Sequence, residues 1–168
     1  RVVAEQAMDL AVNQLGAKTK KCQTHITPVR GGKIDNFRAF LRQAITKVPG
    51  VIKEGSTKHL VYTYGSEYQK LAECMLRQPD LARQIDTSLP VTAAEVEHAV
   101  QHEMALTLGD VIARRTELGA TGLPSMTTLQ KCAGLIAHEF QWSLERQHQE
   151  IDRVIQGYPF RQTEILAA

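Results

Sequence analysis

Cysteine is scarce in this sequence, a long apolar run is absent, and charge of either sign is not in clear excess. Three cysteines in 168 residues, Cys22, Cys74 and Cys132, stand far apart with no CxxC pair. That number and spacing exclude a disulfide framework or a zinc knuckle and suit a reducing cytoplasm. No stretch approaches the roughly 18 apolar residues of a membrane-spanning helix. A formal net charge of +2 lacks the strongly basic surface on which nucleic-acid binding normally rests. The opening "RVVAEQAMDL" has no basic-then-apolar grading and no cleavage site of a secretory leader. It also lacks an initiating Met and enters a helical pattern at once, as an internal piece of a longer chain does. After residue 30, alternating strand patterns are nearly absent as well.

What is present is helical rhythm. Val3, Ala7, Leu10, Ala11 and Leu15 share one helix face and Gly16 follows as a stop, so residues 2 to 15 read as a helix. "KTKKCQTHITPVRGGK" reads as a solvated linker and a short extended connector near residues 21–30, ending in a turn. Asp35 is placed to cap a helix carrying Phe37, Phe40, Leu41, Ala44, Ile45 and Val48, stopped at "VPG". A short helix is expected from Ser56 to Tyr64. Another should be capped by Ser66 and bury Tyr68, Leu71, Ala72 and Met75. Thr92 with Glu95 forms a capping-box pattern, followed by Val96, Val100 and Met104 on one face. "TLGD" at 107–110 repeats the box, which predicts a break near Ala105 to Thr107 and a new helix through Leu118. Ser125 or Thr127 opens a helix with Leu129, Ala133, Ile136 and Phe140. Ser143 opens the last one, with Leu144, Ile151, Val154 and Ile155, stopped at "GYP". The expected fold is all-α: an irregular bundle of about six to eight short helices.

The chemistry-bearing residues have plain explanations. His98 and His102 lie four apart on one helix face, as two zinc ligands would, with Glu95 or Glu103 as candidate third ligands. The glutamate follows the second histidine instead of lying between the two, which departs from the zinc-protease signature and favours two half-exposed histidines. Asp110 and Arg114 are also four apart, with the acid nearer the N-terminus, the favourable order for an ion pair and for the helix dipole. Glu103 lies within reach of Arg114 or Arg115. The arginine pair at the end of two joined helices suggests a helix-turn-helix, but Asp110 at the start of the second helix would repel phosphate. "RGGK" at 30–33 lacks the GxxxxGK[ST] frame of a phosphate loop. Trp142 suits core or interface. No Ser/His/Asp or Cys/His order stands out. A second reading, an independent helical module for nucleic acid or metal, rests on the histidine and arginine pairs alone.

Taken together, "YGSE" at 64–67, "LPVTAAEVEHAVQHEMALTLGDVIARRTELG" at 89–119 and the Trp142 helix resemble a known module. It is the helical C-terminal domain of FAD-dependent glycerol-3-phosphate dehydrogenases and the related α-glycerophosphate oxidases. The family pattern is met by Glu95, Ala99, Val100, His102, Glu103, Met104, Ala105, Asp110, Arg114, Arg115 and Thr116. It is broken at His98, where an aromatic is expected, at Gln101, where a base is common, and at Thr63, where the family tends to carry Arg. "RVVAEQAMDLAVNQLG" and "CQTHITPVRGG" resemble the helix and strand that lead out of the flavin domain.

The resemblance implies three segments: residues 1–16 as the trailing helix of an absent FAD-binding domain, 17–34 as connector, and 35–168 as the helical cap. It implies that the full-length parent oxidises sn-glycerol 3-phosphate to dihydroxyacetone phosphate with FAD and a quinone or oxygen acceptor. No residue of this chain matches a catalytic, cofactor-binding or metal position of the family, and FAD belongs to the parent. Glu95, Glu103, Asp110, Arg114, Arg115 and Thr116 are expected to form a structural or interface ion-pair network. In that case Arg114→Ala would cost roughly 3–5 kcal/mol if the side chain is buried and paired, and almost nothing if exposed. The expected partner is the parent's own N-terminal FAD-binding domain, with room for a homodimer and no nucleic acid. The expected location is the cytoplasm, with a peripheral place on the inner face of the membrane open to the parent.

Overall fold

In the computed structural model, residues 1–48, 50 and 52–158 are described. They form an irregular all-α bundle. The helices are α1 (Val2–Gln14), α2 (Phe37–Lys47), α3 (Glu54–Tyr64), α4 (Tyr68–Arg77), α5 (Ala93–His102), α6 (Leu108–Asp110, continued by a π-helical turn Val111–Arg115), α7 (Met126–Phe140) and α8 (Leu144–Gln156). Among the described residues there is no strand, only an isolated antiparallel bridge between Gln84 and Thr92. The connector expected to be extended at 21–30 is instead a succession of turns. It has no neighbouring strand to supply ladder hydrogen bonds, so Ile26 and Thr27 fold back onto the Gln23 carbonyl.

α5 is the central helix. Its sequence "AAEVEHAV" puts Ala93, Ala94, Val96, Ala99 and Val100 in the core, and the small side chains let α4 and α7 approach it closely. Leu71 and Met75 of α4, Leu129 and Ile136 of α7, and Leu108 and Ile112 of α6 complete the same cluster. Ile151 and Val154 attach α8 to it, and Leu60 and Val61 attach α3. α1 is different: it buries no residue at all. Val3 and Leu15 are 78% and 81% exposed. The helix rhythm was readable there, but nothing among the described residues covers the apolar face.

Local chemistry explains where several boundaries shifted. Asn36, not Asp35, caps α2, its side chain accepting from the Ala39 amide at 3.0 Å. α3 begins two residues earlier than expected, at Glu54. Ser66 caps nothing; it lies in a 3-10 turn, Gly65–Glu67, that feeds α4. At Thr92 the capping box does not close. Its hydroxyl faces the Glu95 carboxylate at 3.4 Å, because that carboxylate is turned inward to another partner. Thr107 and Asp110 do close theirs: the Asp110 amide donates to the Thr107 hydroxyl at 3.1 Å, and the Thr107 amide donates to Asp110 Oδ2 at 3.0 Å. The caps at Ser125 and Ser143 form as expected. The stops expected at Pro49 and Pro159 lie outside the described residues.

The break between α5 and α6 falls where the second capping box put it, but it displaces Met104. That residue takes φ 59° and is exposed, whereas the heptad-like spacing placed it beside Val96 and Val100. Once α5 ends at His102, Met104 no longer follows the helix phase. The left-handed turn there brings the Ala105 amide onto the Ala99 carbonyl at 3.0 Å, at a steric cost of about 1–2 kcal/mol for a residue with a Cβ. The second helix also ends earlier than Leu118. The Thr116 amide bonds the Val111 carbonyl at 3.0 Å, five residues back, and the Thr116 hydroxyl donates to the same oxygen at 2.7 Å. The doubly used carbonyl terminates the helix in a π turn.

Candidate functional site

The six residues expected to form one ionic network are separated into five environments. Asp110 and Arg114 do pair, at 2.7 Å. The Arg114 side chain is 77% exposed, so the pair is worth a few tenths of a kcal/mol at most. Partial burial works against the Asp110 carboxylate, yet hydrogen bonds from Thr107 and the Leu106 and Thr107 amides, with Arg114 beside it, hold it below the usual carboxylate range. Its main work is therefore to fix the α5–α6 turn. Arg115 is exposed and has no acidic partner among the described residues. Glu103 approaches His98, at 3.9 Å, instead of either arginine. Thr116 ends the π turn. Arg114→Ala should accordingly shift the stability by less than about 0.5 kcal/mol, which a urea denaturation curve checks; a loss of several kcal/mol would contradict the exposed geometry.

Glu95 points the other way, into the core. It is 1% exposed and meets His59 Nε2 at 3.0 Å; the His59 side chain is 8% exposed. Sequence spacing could not find this pair, because its members are 36 positions apart and on different helices, α3 and α5. The hydrogen bond to Glu95 raises the His59 pKa above its ordinary value, against the opposing effect of burial. Desolvation raises Glu95 above the carboxylate range although His59 and Thr92 pull it down. Both shifts mean that the folded pair holds a proton more tightly than the unfolded chain does.

The sign of the pH dependence follows from linkage. Glu95's contribution is lost as pH climbs from 4.5 through its raised value. That of His59 is complete below 6.5 and is lost as pH rises through its own raised value. The melting temperature should thus fall as pH rises above 6.5, and His59→Gln should flatten that slope. Equal slopes in the two proteins would remove the pair as its cause.

The connector reaches this region through glycine. Gly31 has φ 81° and Gly65 φ 55°, and their backbones touch: the Ser66 amide donates to the Gly31 carbonyl at 2.9 Å. A Cβ on Gly65 would overlap that carbonyl oxygen, and one on Gly31 would overlap the Tyr64 carbonyl. Gly31 of "RGG" is thus used to dock the connector against the α3–α4 turn, which explains that glycine without a phosphate. The docking sets Arg30 beside Glu67 at 3.0 Å, with Lys70 at 2.6 Å from the same oxygen. These two cations, Lys70 foremost, hold the Glu67 carboxyl below its usual range.

His98 stands at the bottom of this arrangement. Its ring packs edge-on against Tyr64, centroids 5.4 Å apart, and 4.9 Å from the His102 ring. The imidazole fills the place where the family resemblance calls for an aromatic. Burial, with help from His102 and Arg30, drives its pKa down to about 4. Gln101, where a base is common, bonds Glu139 at 3.2 Å. Among the described residues no group of three or more His, Cys, Asp or Glu side chains is arranged to hold a metal ion. Of the two candidate third ligands, Glu95 turns to His59 and Glu103 lies 3.9 Å from His98. No described helix is long and apolar enough to cross a membrane.

Glu150, which the sequence reading passed over, is the second buried acid. On α8 and 1% exposed, it meets Arg153 at 2.6 Å and Arg146 at 2.9 Å, and accepts the Leu108 amide at 3.0 Å. It supplies a cap to α6 from 42 residues away. These arrangements tie together helices far apart in sequence.

Comparison with known proteins gives the family. Residues 22–147 match the family model of the C-terminal domain of alpha-glycerophosphate oxidase. A glycerol-3-phosphate dehydrogenase of Synechocystis sp. (strain ATCC 27184 / PCC 6803 / Kazusa) is 28% identical over 159 residues, which is 94% of this chain and 28% of that protein. A probable mitochondrial glycerol-3-phosphate dehydrogenase of Dictyostelium discoideum is 28% identical over 90% of this chain and 23% of its own length. Glycerol-3-phosphate dehydrogenase 1 of Mycobacterium tuberculosis (strain ATCC 25618 / H37Rv) is 32% identical over 71% of this chain and 21% of its own. The chain spans about a quarter of the length of the curated relatives it matches. On the breadth of these matches, the chain belongs to the glycerol-3-phosphate dehydrogenase family, as its alpha-glycerophosphate oxidase-type C-terminal domain.

Proposed function

We propose that this chain is the non-catalytic cap of an FAD-dependent sn-glycerol-3-phosphate dehydrogenase, whose larger preceding part oxidises glycerol 3-phosphate to dihydroxyacetone phosphate. The observation that carries the reading is the match of residues 22–147 to a C-terminal domain within relatives about four times as long. The flavin would accept the two electrons taken from the substrate's secondary alcohol and pass them to a quinone or oxygen. The residues described here do not fit that cofactor. A flavin pyrophosphate rests on a strand, a glycine-rich turn and a helix N-terminus. The described part of this chain has no strand, and the first glycine of "RGGK", Gly31, is used against Gly65. No redox step is therefore routed through these side chains.

The exposed α1 supports a boundary inside the sequence. The family model begins at residue 22, whereas the Synechocystis relative is matched over 94% of the chain. In this reading residues 1–16 are the trailing helix of the flavin domain, 17–34 the connector and 35–168 the cap. The apolar side of α1 belongs against the FAD-binding domain of the same polypeptide. The oxidoreductase as a whole works in the cytoplasm or peripherally on the inner face of the membrane.

The test is to purify the 168 residues alone and within the complete parent polypeptide. The parent is expected to carry visible flavin absorbance and to oxidise glycerol 3-phosphate; the 168 residues are expected to fold as a helical domain, colourless and inactive. A flavin-loaded or catalytically active 168-residue protein would refute the cap assignment.

A further inference from the structure

The small net charge of the chain conceals a segregation. Residues 17–58 hold ten Lys and Arg against two acids, Asp35 and Glu54, whereas the rest of the chain holds ten against sixteen. All ten cations of that stretch are exposed. Among the described residues, Arg30 meets the Glu67 carboxylate at 3.0 Å and Lys58 that of Glu54 at 2.6 Å. The other eight have no acidic partner among the described residues. Like charges gathered in this way repel one another, a cost that an anionic partner removes.

The fold sets part of this charge around an apolar groove. On α2, Ala44 and Val48 enter the core and Phe40 and Leu41 pack against it, so Arg38, Arg42 and Lys47 are left exposed. Between the connector, α2 and α3 lies an open groove of about 380 Å³, with Val29, Ile34, Phe37 and Tyr62 among its lining residues. Val29 and Tyr62 are 81% and 69% exposed. Arg30 lines the groove as well. Lys33 precedes Ile34 and Arg38 follows Phe37 in the chain, so cations and apolar side chains alternate along it.

We propose that this face binds an acidic polypeptide segment bearing bulky apolar side chains, its carboxylates against Lys33, Arg38 and Arg42 and its apolar groups in the groove. Guanidinium and ammonium groups hold carboxylates through charge-assisted hydrogen bonds, and opposite potentials across an interface select the partner. A bilayer fits less well. An interfacial helix sinks a row of bulky apolar side chains into the lipid, and the exposed residues of α2 after Phe37 include none. Nucleic acid fits less well too, because bases stack on open aromatic faces. The Phe37 and Tyr62 rings are tilted against each other, centroids 5.1 Å apart.

The test is fluorescence anisotropy of a short fluorescein-labelled peptide in which Asp and Glu alternate with Leu and Phe, titrated with the 168-residue protein at fixed ionic strength. One companion peptide carries Ser in place of Leu and Phe, and another carries Lys in place of the acids. The acidic probe should bind saturably, the Ser peptide about tenfold more weakly or beyond, and the Lys peptide not at all. Arg38→Ala/Arg42→Ala should weaken the probe about tenfold through two lost charge pairs. The charge-matched Arg114→Ala/Arg115→Ala should leave it unchanged. Tyr62→Ser should bring the probe down towards the Ser peptide. All five positions are exposed, and circular dichroism checks that each variant is folded. Absent or non-saturable binding, equal binding of the Ser peptide, an unaltered Tyr62→Ser protein, or equal effects of the two arginine pairs would each overturn the proposal. So would displacement of the probe by phosphatidylglycerol vesicles or duplex DNA at lower concentration than by unlabelled peptide. The complete parent polypeptide should bind the probe equally; loss of binding there would mean that its own preceding part covers the face, and would overturn the proposal as well.

Discussion

Gly65→Ala should destabilise the domain by about 3 kcal/mol or more, the range in which backbone strain and an immovable clash act together. Gly65 combines φ 55° with ψ −130°, a conformation closed to residues with a Cβ, and its hydrogens face the Gly31 carbonyl. A methyl group there must displace the connector, and the Ser66–Gly31 hydrogen bond is lost with it. Gly31→Ala should act in the same direction, since its own Cβ would strike the Tyr64 carbonyl. The control is Gly134→Ala, in the exposed middle of α7 with open space around the added carbon. That change should stabilise by roughly 0.5–1 kcal/mol through helix propensity. Denaturant titration of the three variants settles the matter. If Gly65→Ala and Gly134→Ala behave alike, the docking of connector on turn has no energetic weight.

Glu150→Ala carries the second largest expected loss, about 2–4 kcal/mol. It strips the buried Leu108 amide of its acceptor, which alone costs on the order of 1–3 kcal/mol, and it leaves a void between α6 and α8. The contribution of the two arginines is smaller. Arg146 and Arg153 are 39% and 59% exposed, so solvent screens their attraction to the acid. Glu150→Gln keeps an oxygen for Leu108 and gives up only the charge, so it should cost about 1 kcal/mol. The ratio between the two variants carries the argument. Equal losses would mean that charge, not the cap on α6, is what Glu150 provides.

The candidate site divides between what neighbours in sequence can do and what distant residues do. Thr107, Asp110 and Arg114 are within one or two helical turns of each other, and their spacing announced both the break after α5 and the ion pair. The same reasoning overextended the ionic network to Glu95, Glu103 and Arg115. Charge spacing along one helix says which residues share a face, not which face is turned inward. The carboxylate of Glu95 went inward, one oxygen to His59 on another helix and the other to the Thr92 hydroxyl. Glu150 had no local signal at all, for the amide that it caps is on α6, far away in sequence.

The sequence by itself determined the all-α class, most helix starts, the α5–α6 break and the family, because periodicity, caps and motif order are local properties of the chain. The tertiary structure alone decided that Glu95 and Glu150 are buried, that Arg114 is solvated, that Met104 leaves its helix face, and that Gly31 of "RGG" meets Gly65. Each of those depends on which surfaces pack against which, and burial and close backbone approach are created only when separate helices come together.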